Sequence, residues 1–300
     1  MDISKAKRII TPFGELNKII SGGVLIWKKP DNSPRYGVYK NDVLVEEVTM
    51  ADFVDKVHSG YALTNWGIGA QLRVPYTDPF DNVTYDLPFN FANFSGNTLG
   101  LQTHYAVPVR ALAYGENSAT NSSQKYYECT WNDSYIFKWL NTTGSVTVDV
   151  GGTKSNTKGF LGCLPSDFVS RMKYTSAFGK SQRMFLLTVT QSNANPKSND
   201  GIYHLRSTTY EGTAWTYWKN KIGTTQKYNE TKDNRKVFHI KNRTTAVTIT
   251  TPSIITIDAY TYNGVAYSIR YYMSSFTNVG KIGQIQAKTS SYYLPACYIG

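Results

Sequence analysis

Three carboxylates crowd the stretch TDPFDNVTYDLPF, at Asp78, Asp81 and Asp86. Two carboxyl groups held roughly 5–10 Å apart are what a glycosidase uses to protonate one side of a sugar and attack the other. The same oxygens can hold Ca²⁺, although the stretch lacks the spaced ligands and closing Glu of an EF-hand. Asp-Pro and Asp-Asn pairs also make turns, because a short side-chain oxygen bonds the backbone two residues on, and that is the expected role. The four histidines, His58, His104, His204 and His239, show no H-E-x-x-H or paired Cys/His spacing. Neither a G-x-S-x-G elbow, a P-loop nor a G-x-G-x-x-G turn occurs. Cys129, Cys163 and Cys297 are odd in number and far apart, so they predict buried reduced thiols and no disulfide framework or zinc site. No catalysis, metal or cofactor is expected.

Binding has more support. HLRSTTYEGTAWTYWKNK sets Arg206, Tyr210, Trp215, Tyr217 and Trp218 among Thr and Gly. Aromatic faces stack on sugar C–H surfaces or on bases, and Arg or Lys adds charge-assisted hydrogen bonds. As a strand, this segment would send Trp215 and Tyr217 to one side and Trp218 to the other. One Trp would then be core and the other exposed, the competing reading being that all three rings pack inside.

Thirty-two basic and 21 acidic residues leave a formal charge of +11. The basic residues are scattered, densest from Lys219 to Lys241, with no basic block, RNP-like motif or finger spacing. Nucleic acid is therefore not the expected partner; solubility and attraction to an anionic surface such as a cell envelope are. The opening MDISKAKRII is polar, with no signal peptide expected, and no apolar run approaches the roughly 18 residues that cross a bilayer. Synthesis in a cytosol is expected.

The elements follow from periodicity. Charged residues are only 18%, and the 23 tyrosines with abundant Thr, Ser and Asn suit a pleated, half-buried surface. At the N-terminus, IITPFG and VLIWKKP flank a Ser21-Gly22-Gly23 turn signal, which reads as a hairpin over residues 1–35, closed by PDNSP. YGVYKNDVLVEEV gives two strands around Asn41-Asp42. TMADFVDKVHSG is a helix with Thr49 as N-cap, Asp52 at N3, a stripe of Met50, Phe53, Val54 and Val57, and Gly60 at C′. WNDSYIFKWLN is a second helix, with Ile136, Trp139 and Leu140 on one face. PSDFVSRM is a third, with Phe168, Val169 and Met172 sharing a face. Val146, Val148 and Val150 alternate as a strand, and MFLLTV reads as a central strand covered on both faces. Beyond Gly201 only strands and loops are expected. The class is β-rich α+β, with antiparallel sheets and about three short helices behind an N-terminal β-hairpin.

Three landmarks in this order carry a resemblance. They are Trp131, Ser134, Ile136, Trp139, Leu140 and Asn141 (W-x-x-S-x-I-x-x-W-L-N); Gly159, Phe160, Leu161, Leu164 and Phe168 (G-F-L-x-x-L-x-x-x-F); and Pro295, Ala296 and Cys297 (P-A-C). Together they resemble a family of phage and prophage virion structural proteins of undefined biochemical activity. The resemblance runs from about Thr49 to the C-terminus, strongest over residues 49–191 and weaker over 211–283. A family W-x-L-R-S-type segment has its nearest match at Tyr203 to Ser207. The resemblance implies a C-type-lectin-like, or related sheet-and-two-helix, body over residues 36–300. Trp131, Ile136, Trp139, Leu140, Phe160 and Leu161 are read as core, since they are large, mostly apolar and placed where a short helix docks on a sheet.

The expected function is that of a non-enzymatic virion component of tail, collar or head. Ile10, Phe13, Ile20, Leu25 and Trp27 would dock it on other virion proteins, and the body would be displayed outward as a homo-oligomer, with a host-surface glycan as candidate ligand. A glycan depolymerase using Asp78, Asp81 or Asp86, and a purely architectural virion protein, are the alternatives.

Overall fold

Strict alternation of apolar and polar residues in QLRVPYT buries Leu72, Val74 and Tyr76 and leaves the residues between them more exposed, the signature of a pleated strand. The computed structural model describes residues 10–11, 14–15, 18–21, 24–28, 32–79, 82–104, 135–150, 153–177, 180–187, 191, 208–209, 213–222, 236–237, 247–248, 254–255, 258–262, 265–269, 271–273, 282–284 and 294–300. The chain divides into two compact units, Met1–Arg35 and Tyr36–Gly300.

The first unit holds β1 (Ile10–Thr11), β2 (Gly14–Glu15), β3 (Lys18–Ser21) and β4 (Val24–Lys28). β3 and β4 pair antiparallel, Ser21 facing Val24 across the two glycines, with Ile19 opposite Trp27 and Ile20 opposite Leu25. A strand pair flanks Gly22-Gly23 as expected, but its first strand is not the expected one. The partner of VLIWK is KIIS, while Ile10–Thr11 folds back on Gly14–Glu15. Phe13 lies outside the described residues.

The second unit opens with β5 (Tyr36–Lys40) and β6 (Val43–Val48), joined through Asn41 and Asp42, both at positive φ (52° and 62°). Such a two-residue turn matches the right-handed twist of the flanking strands. Helix α1 (Met50–His58) starts at Thr49, whose Oγ1 accepts the Asp52 N–H at 3.1 Å, and ends before Gly60 at φ 77°. A π-helical turn, Ala62–Trp66, leads through Gly67 and Gly69 into β7 (Gln71–Thr77), β8 (Thr84–Ser95) and β9 (Thr98–Thr103). Next come α2 (Tyr135–Leu140), the hairpin β10 (Ser145–Val150) and β11 (Thr153–Lys158), a 3₁₀ turn (Phe160–Cys163) and α3 (Ser166–Ser170). Met172 is not on α3 as its spacing suggests; it begins β12 (Met172–Lys173). β13 (Thr175–Ala177), β14 (Lys180–Gln182) and β15 (Met184–Leu186) follow. After β16 (Thr208–Thr209) comes a helix where only strands and loops were expected, α4 (Thr216–Ile222). β17 (Lys236–Val237), β18 (Val247–Thr248), β19 (Ile254–Ile255), β20 (Asp258–Tyr262), β21 (Val265–Ile269), β22 (Tyr271–Met273) and β23 (Ile282–Gln284) form small antiparallel ladders. β24 (Pro295–Ile299) is the last strand.

One antiparallel sheet organises this unit, in the order β12-β24-β9-β8-β7-β5-β6, with β15 also on β24. β12 and β15 lie end to end along β24, Met172 opposite Ile299 and Met184 opposite Cys297, with the hairpin β13–β14 between them in sequence. MFL is therefore a short strand at the margin of the sheet rather than a central one. Its residues are nonetheless buried on both faces, because both faces of the sheet are covered. The register assigns Leu72, Phe89, Phe91, Leu101, Cys297 and Met184 to one face. There α1 contributes Phe53, stacked on Trp66 at 5.6 Å and edge-on to Phe91 at 5.7 Å. On the same face α3 places Phe168 against Phe89 at 5.4 Å, and Phe160 packs against Tyr76 and Trp139, each at 5.4 Å. The other face, carrying Asn90, Gly100, Gln102, Ala296 and Phe185, is covered by α4. The unit is a β-rich α+β body.

The core landmarks sit together. Ile136, Trp139, Leu140, Phe160 and Leu161 are buried, and Trp131 lies outside the described residues. Gly159 and Gly162 have a steric reason to be glycine: a Cβ would fall 2.1 Å from the Thr142 carbonyl oxygen and 1.9 Å from that of Thr143. Two segments separated in sequence thereby touch backbone to backbone.

Candidate binding groove

Strand β8 pairs Phe91 with Leu101 and then Asn93, not Ala92, with Gly100. The extra residue is a β-bulge, and a bulge re-aims every side chain beyond it by one position. Without it Asn93 would share the helix-covered face with Phe91; with it, Asn93 and Ser95 turn to the α4 face while Phe94 turns back towards Phe91, at 6.3 Å. Asn93 Oδ1 then accepts from the N–H and hydroxyl of Thr216 at the start of α4, each at 3.3 Å. α4 is further tied down by Trp218, whose Nε1 donates to Gln102 Oε1 at 2.8 Å. Trp215 lies over Gly100, where an added Cβ would meet its ring at 3.0 Å, so the glycine gives the indole its seat.

Between the start of α4 and the end of the sheet lies a groove of about 330 Å³. Trp215 and Tyr298 line it, with ring centroids 5.6 Å apart and Phe185 against both. Asn93, Ser95 and Thr98 of the β8–β9 hairpin also line it, with Lys173, Tyr174 and Thr175 from β12 to β13. Gln191 and Thr213 complete the lining, Gln191 giving its carbonyl to the Trp215 N–H at 2.9 Å. Burial pushes the Tyr298 phenol above its ordinary range, and a hydrogen bond with Trp215 partly offsets this. Lys173 Nζ donates to Thr98 Oγ1 at 2.9 Å and lies beside the Gly300 backbone. The Tyr174 residue is 64% exposed, with the Arg183 guanidinium 4.6 Å from its ring centroid. Such a site offers aromatic surface, hydroxyls, amides and one ammonium group, which suits binding.

The aromatic set expected as a ligand face divides differently. Trp215, Tyr217 and Trp218 are all buried, at 2%, 8% and 5% exposure, because the segment is helical and packs on the sheet. The strand alternation that would have left one Trp outside does not apply. Of these three Trp215 alone lines the groove, while Arg206 and Tyr210 lie outside the described residues. Tyr298 was within reach of sequence reasoning: in P-A-C-Y-I a period of two sets it opposite Cys297 and Ile299. Asn93 was not, since its orientation depends on the bulge. Tyr174 and Lys173 carry no local pattern.

The acidic stretch reads as a turn. Asp78 is buried, its N–H bonding the Val83 carbonyl and its own carbonyl accepting from Asn82, which has φ 56°. Asp86 is an exposed residue of β8 opposite Pro75, and Asp81 lies outside the described residues. His58 is exposed and His104 bonds Asn90 Oδ1 at 3.0 Å; His204 and His239 lie outside the described residues. Cys163 and Cys297 are buried and form no disulfide, the Cys163 thiol donating to the Gly159 carbonyl at 3.3 Å, and Cys129 lies outside the described residues. Among the described residues no cluster of His, Cys, Asp or Glu forms a metal site, and no helix is long and apolar enough to cross a membrane. No family model, curated protein or solved structure matches the chain.

Proposed function

We propose that the chain is a non-enzymatic structural component of a bacteriophage virion, docking through residues 1–35 and displaying residues 36–300 towards the host surface. The observation that supports this reading is the convergence of the three landmarks behind the family resemblance. Trp139 of the first packs edge-on to Phe160 of the second. Asn141 of the first bonds the backbone of Met184, and Met184 pairs with Cys297 of the third. A motif set scattered over more than 150 positions thus behaves as one packing unit, as a shared scaffold would require.

The body is read as C-type-lectin-like, with its last strand returned to the interior of the sheet beside β9. Assembly as a homo-oligomer fits the edge strand β6, where Val43, Leu44 and Val45 are exposed, since pairing with another copy covers an apolar edge. The docking residues are Ile10, Phe13, Ile20, Leu25 and Trp27, and the outward ligand is a host-surface glycan. Deleting residues 1–35 is expected to leave a folded body that no longer joins particles in a complementation assay. Normal incorporation of the truncated chain would overturn the docking role.

A further inference from the structure

We propose that the groove beside α4 binds a saccharide unit bearing an anionic substituent, with Tyr174 and Tyr298 contacting the sugar ring and Lys173 the anion. The proposal deepens the virion reading, on which it rests for the source of the ligand. At about 330 Å³ the groove sits at the lower end of the range for small-ligand sites. Its polar lining is built of hydroxyls and amides, groups that both donate and accept and so match a ligand dense in hydroxyls. Tyr174 lines the groove and is 64% exposed, with the Arg183 guanidinium 4.6 Å from its ring centroid, and exposed aromatic surface stacks on sugar C–H faces.

Lys173 supplies the selectivity. Among the described residues that line the groove it is the charged one, and no carboxylate lines the groove beside it. An ammonium group has three donors, and Thr98 takes one of them. The others are available to a carboxylate or phosphate on the ligand. A single-stranded nucleic acid also brings anions and stacking rings, but it is held by a groove with positive charge along its length, and a single lysine does not provide that.

The test titrates the purified full chain with a tetrasaccharide of alternating glucuronate and N-acetylhexosamine, the same tetrasaccharide with its carboxyls reduced to alcohols, and an oligothymidylate, by calorimetry. The acidic tetrasaccharide is expected to bind at least about tenfold more tightly than the reduced one, a difference of about 1.4 kcal/mol. Lys173→Met should erase that difference, and Tyr174→Ala should weaken both saccharides by about tenfold or more; both variants are checked for folding by circular dichroism. No saccharide binding, equal binding of the two forms, indifference to both substitutions, or preference for the oligothymidylate would overturn the proposal. Particle incorporation of Lys173→Met is expected to be normal, so a failed docking role and a failed ligand site give separate results.

Discussion

The side-chain amide of Asn141 pairs with both backbone polar groups of Met184: Nδ2 donates to its carbonyl at 2.9 Å and Oδ1 accepts its N–H at 3.0 Å. The same amide also donates to the Phe137 carbonyl at 3.2 Å and accepts from the Arg183 N–H at 2.9 Å. One residue just beyond α2 therefore does for β15 what a neighbouring strand would do. Asn141→Ala removes these partners from a part-buried strand end, and orphaned backbone groups cost about 1–3 kcal/mol each. A loss of about 2–4 kcal/mol is expected in urea denaturation, with Asn141→Asp also destabilising because a carboxylate cannot donate to the Met184 carbonyl. Unchanged midpoints for both variants would refute the clamp.

Gly159→Ala and Gly162→Ala each drive a methyl group into a backbone carbonyl of the Thr142–Thr143 segment. Overpacking against backbone is expected to cost about 3 kcal/mol or more. Gly144→Ala is the control, since nothing lies within 4 Å of a Cβ there. Thermal denaturation should separate the first two from the third.

Trp139 is fully buried, and among the described residues its indole N–H has no hydrogen-bond partner. Its contribution is then packing, so Trp139→Ala should cost about 3–5 kcal/mol. Trp139→Phe, which loses volume but no hydrogen bond, should cost clearly less. Equal losses in urea titrations would show that the N–H matters after all.

Tyr36 is driven above its ordinary pKa first by burial, then by its hydrogen bond to Asp167 at 2.5 Å and the nearby carboxylate charge. A raised pKa means the fold favours the neutral phenol. Its stabilisation is complete below the ordinary tyrosine value of about 10 and is lost as pH rises past it. The buried Cys297 thiol is raised by burial in the same sense, so its loss begins above the ordinary thiol range. Stability should therefore fall on the alkaline side. Tyr36→Phe should flatten that fall above about pH 10, measured as denaturation midpoint against pH, while an identical alkaline profile would contradict it.

Native protein should leave Cys163 and Cys297 unlabelled by a maleimide over minutes, since both are buried and the thiolate is the reactive form. Labelling in denaturant should be complete. Rapid native labelling of either, located by peptide mass spectrometry, would place it at the surface.

Much of the body was legible because its signals are local. Thr49 with Asp52, the stripe Met50, Phe53, Val54 and Val57, and Gly60 specify α1 from within a dozen residues. The Asn41-Asp42 turn and the alternating valines of β10 are equally short-range. Met172 and Trp215 were misplaced for the opposite reason. Met172 fits a helical stripe by spacing, yet a partner far away in sequence, Ile299, draws it into a ladder. Trp215 and Trp218 fit a strand or a helix equally well until the opposite sheet face, with Gly100 and Gln102, selects the helix.

The order of residues by itself determined the β-rich character, the early helices and the burial of the tryptophan-bearing segment, because hydrophobic period and capping act over a few neighbouring positions. Only the tertiary structure decided which residues share a surface. The bulge at Ala92 turns Asn93 towards α4, and β12 and β24 bring Tyr174 and Tyr298 to the same groove. Those placements come from strand pairing, within the β8–β9 hairpin for Asn93 and between segments far apart in sequence for Tyr174 and Tyr298, where one residue of register moves a side chain to the opposite face.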